Sequence, residues 1–166
     1  MALTRIGILS DTHLSAPSDT FRARAANCFA GVSMILHAGD LTELSVLDVF
    51  QGVEVHAVHG NMCSAETLHA LPAGLTIRVG NFTIGLVHRM GNSYDFEDRL
   101  IEIFPEADCI VYGHTHRPVC HCLGQVLYLN PGSFSGTGRH GAPATYGIIE
   151  VGDRELRGSI HQVGQG

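Results

Sequence analysis

A chain of 166 residues, 45% apolar and only 16% charged, can bury a sizeable core and is too apolar to be disordered. Its 10 basic and 16 acidic residues leave a net charge of −6, and no stretch concentrates Lys or Arg, which excludes a non-specific nucleic-acid binder. No apolar run approaches the roughly 18 residues that a membrane-spanning helix needs, and "MALTRIGILSDTH" lacks a signal-peptide core, so a soluble, cytoplasmic protein is expected.

Short apolar runs alternate with amphipathic stretches along the first half. Arg5 to Ser10 reads as a buried strand, and Thr20 to Phe29 as a helix capped by Ser18 or Asp19. Ser33 to His37 is a second strand, Leu44 to Gln51 a short helix, and Val53 to Val58 a third strand. Ala65 to Leu71 is another short helix, stopped by Pro72. This alternation predicts βαβ units and a parallel sheet.

The pattern then changes. Leu75 to Val79 and Phe82 to Val87 flank Gly80-Asn81, the strongest hairpin signal of the chain. Tyr94 to Phe104 reads as a helix that ends at Pro105, and Cys109 to Tyr112 as a strand. Val119 to Leu123 pairs with Val126 to Leu129 around Gly124, and Thr145 to Val151 with Leu156 to His161. The expected α/β fold has two sheets face to face with helices outside, in a single domain over residues 1–166. "GTGRHG", from Gly136 to Gly141, is the most loop-like stretch.

The five cysteines, Cys28, Cys63, Cys109, Cys120 and Cys122, are odd in number and form no disulfide framework. They read as buried or half-buried free thiols in a reducing compartment. Cys120 and Cys122 alternate on one strand and share a face.

The informative pattern lies where each apolar strand stops. "RIGILS" runs into Asp11-Thr12-His13, "SMILHA" into Gly39-Asp40, and "VEVHAVH" into Gly60-Asn61. "FTIGLV" runs into His88, and "CIVY" into Gly113-His114-Thr115-His116. Ligands of open α/β sheets gather at the carboxyl ends of strands, so these side chains can converge. Two aspartates, an asparagine and four histidines are too many for one zinc ion, and suit two ions that share a carboxylate. Such a site clamps both oxygens of a displacement at phosphorus.

The ordered set Asp11-x-His13, Gly39-Asp40, Gly60-Asn61, His88, Gly113-His114-x-His116 resembles the calcineurin-like metallophosphoesterases. "NPGS", Asn130 to Ser133, is most similar to their small bacterial and archaeal phosphodiesterases. The resemblance runs from Thr4 to about Val151. It implies a four-layer αββα sandwich with the site at one edge. It also implies that Asp11, His13 and His116 hold one ion, that Asn61, His88 and His114 hold the second, and that Asp40 bridges them. Asp40, Asn61 and His114 are then the expected catalytic residues. The ions are expected to be divalent transition metals, manganese first, with nickel, iron or zinc as the others. Mixed Asp, Asn and His ligation disfavours magnesium and calcium. The implied reaction is hydrolysis of a small or nucleotide-like phosphodiester by a metal-bridging hydroxide, with no protein nucleophile and no long nucleic acid. A homo-oligomer is a further expectation from the resemblance, with the "HCLGQ" and "VLYLN" hairpin offering an edge.

Two positions depart from the pattern. Many relatives carry a histidine after the ligand asparagine, to steady the transition state or protonate the leaving oxygen; here Met62 stands there. Arg89 follows His88 where glycine is common, and with Asn61 it is expected to touch substrate. His37, His59 and His140 lie near the motifs and are not counted as ligands. Met62 also keeps open a second class of function, a protein-binding scaffold like the retromer subunit of the same family.

Overall fold

The computed structural model describes residues 3–89, 96–137 and 141–164. Ten strands form two five-stranded mixed sheets among the described residues. The first sheet has the order β10-β9-β1-β2-β3 and the second β4-β5-β6-β8-β7. In chain order the strands are β1 (Thr4–Leu9), β2 (Met34–His37), β3 (Glu54–Ala57), β4 (Gly74–Val79), β5 (Phe82–Val87), β6 (Cys109–Val111), β7 (Val119–Leu123), β8 (Val126–Asn130), β9 (Thr145–Val151) and β10 (Leu156–Gln162).

Strands β1, β2 and β3 run parallel, as the alternation of strands and helices predicts. Strands β5, β6 and β8 run parallel in the other sheet. The expected hairpins close the outer positions as β4–β5, β7–β8 and β9–β10. Each sheet therefore sends three parallel strand ends to one edge, where six loops leave.

Three layers of apolar contact build the sandwich. Ile6, Ile8, Leu36, Leu86, Val111 and Leu129, from both sheets, meet in the central core. Helix α1 (Asp19–Cys28) buries Phe21 and Ala25, one helical turn apart, against the outer face of the first sheet. Helix α3 (Phe96–Ile103) places Leu100 beside Ile110 and Tyr128 on the outer face of the second. The result is the expected αββα layering.

Local chemistry sets the boundaries. Ser18 caps α1 by accepting from the Phe21 N–H at 3.1 Å. Ser64 does the same for helix α2 (Ala65–Ala70), accepting from Thr67 at 3.2 Å. Helix α2 ends at Leu71, whose extended φ of −108° and ψ of 145° suit a residue before proline. The short helix expected over Leu44 to Gln51 is a 3-10 helix, Leu44–Val49. The residue before it, Glu43, makes no side-chain capping bond, and the helix contains the β-branched Val46 and Val49. The start of the expected Tyr94 helix lies outside the described residues. Cys120 and Cys122 are exposed, against expectation, because β7 is an edge strand. Among the described residues no helix is long and apolar enough to cross a membrane.

Candidate metal centre

Every expected ligand follows one of the parallel strands. Asp11 and His13 follow β1, Asp40 follows β2, Asn61 follows β3, His88 follows β5, and His114 and His116 follow β6. The two sheets touch there through polar contacts. The His88 ring donates from Nδ1 to the Ala38 carbonyl at 2.7 Å, and the His114 N–H donates to Asp11 Oδ2 at 3.1 Å.

The side chains fall into two adjoining groups. Asp11, His13 and His116 bring one ligand atom each within 4.8 Å of one another, and so do Asp40, His88 and His114. In the first, His116 Nε2 lies 3.2 Å and His13 Nε2 3.7 Å from Asp11 Oδ1. In the second, His88 Nε2 lies 3.2 Å from Asp40 Oδ2. Asn61 joins this second group, its Oδ1 3.1 Å from His114 Nδ1. The groups share an edge, for His88 Nε2 is 4.0 Å from Asp11 Oδ1.

The chemistry of this arrangement favours cations. With Nδ1 donating to Ala38, the neutral His88 ring presents its Nε2 lone pair toward Asp40. Buried His88 Nε2 and buried Asp11 Oδ1 have no hydrogen-bond partner among the described residues. Such orphaned acceptors are costly in a folded protein. One proton would satisfy one contact; several imidazole nitrogens converging on two carboxylates need more positive charge. The residues therefore fit divalent ions, as oxygen and imidazole donors of a borderline metal.

Burial works to raise the Asp11 carboxyl, yet His13, His88, Ser10 and His116 outweigh it and hold the group below its ordinary value. Asp40 is lowered likewise, with burial overcome by His88, the Met62 N–H and His13. The Met62 N–H donates to Asp40 Oδ1 at 2.7 Å. Both carboxylates are thus held ionised. His114 is pushed down, first by burial and then by Arg89 and His88, which keeps it neutral and able to ligate.

The backbone is strained where the ligands sit. Among the described residues six non-glycine positions have positive φ, and five are Asp11 (55°), His13 (49°), Asp40 (54°), His114 (70°) and His116 (57°). Such conformations are rare for residues with a Cβ and cluster at functional sites. Close packing also explains two neighbouring glycines. A Cβ at Gly60 would collide with Asp40 Oδ1, and one at Gly113 with Ser10 Oγ.

The supporting shell was only partly legible. Asn130 donates to the Gly113 carbonyl at 2.9 Å and to Thr115 Oγ1 at 3.0 Å. Ser133 donates to the Asp11 carbonyl at 2.9 Å, and Ser135 to that of Thr12 at 2.7 Å. The loop after β8 thereby clamps the loops after β1 and β6; "NPGS" was its only sequence signal. His37 is fully buried between the β1 and β2 exits, and burial pushes it down to about 3. Arg89, His59 and Asn61 line a cleft of about 360 Å³ beside His88. Met62 is 58% exposed. His140 lies outside the described residues.

Residues 4–154 match the calcineurin-like phosphoesterase superfamily domain. A probable metallophosphoesterase of Methanothermobacter thermautotrophicus is 33% identical over 133 residues, 77% of this chain and 76% of its own length. A phosphodiesterase of Methanocaldococcus jannaschii is 25% identical over 169 residues, 92% of this chain and 96% of its own length. Among solved structures, vacuolar protein sorting 29 from Cryptosporidium parvum shares the fold. Its TM-score is 0.81 at 17% identity, over 99% of this chain and 93% of that one.

Proposed function

We propose that this chain, which belongs to the calcineurin-like phosphoesterase superfamily, is a divalent-metal-dependent phosphodiesterase acting on small or nucleotide-like diesters. The carrying observation is the pair of adjoining ligand groups with two buried acceptors, Asp11 Oδ1 and His88 Nε2, that have no hydrogen-bond partner among the described residues. Asp11, His13 and His116 would hold one ion, and Asn61, His88 and His114 the other, with Asp40 shared. Manganese is the first expectation, ahead of nickel, iron and zinc. When bound, the two ions supply an acidified water and neutralise charge on the phosphoryl oxygens.

The chain's own groups do the rest. Asp40 is fixed from the side by the Met62 N–H, and His88 by Ala38, so both present their atoms without reorganising. Asn61 and Arg89 line the cleft beside His88, where an amide and a guanidinium suit a phosphate ester. No acid stands at Met62, so esters with good leaving groups are the better substrates. The phosphodiesterase name of the Methanocaldococcus relative supports the same reading.

A second reading, a protein-binding scaffold, draws on the shared fold with vacuolar protein sorting 29 and on Met62. The presence of all seven expected ligand residues favours the enzyme. Metal-stripped protein given bis(p-nitrophenyl) phosphate decides between them. Turnover restored by manganese, nickel or zinc and abolished by Asp40→Asn is expected; metal uptake without turnover would favour the scaffold.

A further inference from the structure

We infer that His37 is a positioning residue, a pin between the two turns that carry Asp11, His13 and Asp40. The inference rests on the metallophosphoesterase reading for what those side chains do. His37 ends β2 and has no exposed surface. The Gly39 N–H donates to its Nδ1 at 3.2 Å, so the ring proton sits on Nε2. From there it donates to Thr12 Oγ1 at 3.1 Å. Thr12 stands between Asp11 and His13, and Gly39 directly precedes Asp40. One imidazole thereby joins the exit of β1 to the exit of β2, and neither ring nitrogen is left for a metal.

The two exits need such a pin. Asp11, His13 and Asp40 hold φ of 55°, 49° and 54°. Residues in that region persist only where their surroundings over-determine them. Part of the constraint is main chain: Asp11 N–H donates to the Gly39 carbonyl at 2.9 Å, and His13 N–H to the Asp40 carbonyl at 3.0 Å. These bonds all run from the β1 exit to the β2 exit. The Gly39 N–H and the Thr12 hydroxyl meet on His37 instead, which completes the lock from below. An apolar side chain of equal size would leave the Gly39 N–H unpaired in a buried place.

The test separates the pin from simple packing. Thr12→Val removes the hydroxyl and keeps the shape, and Thr12→Ser keeps the hydroxyl. His37→Asn keeps an acceptor near Nδ1 and loses the reach to Thr12. Two readouts are taken: amide exchange in the metal-free chain, and zinc affinity by competition with a chelator. Thr12→Val should speed exchange at Asp11 and His13 by about 10-fold, with the Ile8 amide unchanged. It should weaken zinc binding by about 10–100-fold, with Thr12→Ser near wild type. The Thr12→Val and His37→Asn double variant should be no worse than His37→Asn. Wild-type exchange in Thr12→Val would overturn the inference. So would faster exchange with unchanged zinc affinity, or equal losses in Thr12→Val and Thr12→Ser. If the wild-type chain takes up no zinc, the phosphoesterase reading fails, and the exchange rates alone judge the pin.

Discussion

A thioether cannot deliver a proton, so on the proposed phosphodiesterase reading Met62, more than half exposed beside Asn61, offers the leaving oxygen no acid at that position. The rate should therefore depend steeply on leaving-group pKa. Met62→His should flatten that dependence and raise turnover of alkyl esters by about 10²-fold. Equal slopes in the two proteins, with chemistry rate-limiting, would contradict this. His37 makes a different prediction, about stability. Its folded value lies near 3, well below the ordinary 6.5, because burial disfavours its charged form. The unfolded chain takes up this proton below 6.5 and the fold refuses it. The contribution of His37 is thus complete above pH 6.5 and is lost as pH falls from 6.5 toward 3. His13 and His88 have raised values and act oppositely, stabilising at low pH and fading as pH rises through their folded values. In metal-free protein, urea unfolding from pH 6.5 down to about 4 should show a shallower loss in His37→Asn than in wild type. Identical slopes would remove His37 from the acid limb.

At the scale of strands and turns, the site is six loop exits packed until single atoms matter. A Cβ at Gly60 would collide with Asp40 Oδ1 and come within 2.6 Å of the Asp40 backbone N. Gly60→Ala should therefore lower kcat/KM by about 10²-fold through a displaced carboxylate, while the fold stays intact. Gly152→Ala, whose new Cβ meets nothing closer than 3.6 Å, serves as the control and should match wild type. A fully active Gly60→Ala enzyme would show that Asp40 tolerates displacement. This scale also shows what could be read in advance. The strand ends were legible because each apolar run stops abruptly at a polar or glycine-polar motif. The hairpins were legible from their glycines. The 3-10 form of Leu44–Val49, the exposure of Cys120 and Cys122, and the clamp by Asn130, Ser133 and Ser135 were not. Each depends on neighbours far away in sequence: strand order decides which strand is an edge, and loop packing decides which hydroxyl meets which carbonyl. His37 stood in plain view two residues before Gly39, yet its two bonds belong to the tertiary fold.

Across the whole molecule, two sheets each contribute three parallel strand ends to a shared edge, and the αββα layers hold those ends in register. The fold, shared with vacuolar protein sorting 29 of Cryptosporidium parvum, does not by itself assign a function. The distinction between catalysis and protein binding lies in the ligand set at the edge, so the number of ions bound is the natural variable. Removing one group at a time should separate the two ions. His116→Ala and His114→Ala are each expected to keep one ion and to lose nearly all turnover, measured by metal content and rate on the same sample. Two ions retained by both variants would break the assignment of ligands to separate groups. The most direct measurement is a manganese titration of the metal-free wild-type chain, following bound ions and bis(p-nitrophenyl) phosphate hydrolysis together. The account predicts two ions per chain and little turnover until the second binds. Full turnover with one ion, or two bound ions and no turnover, would contradict it.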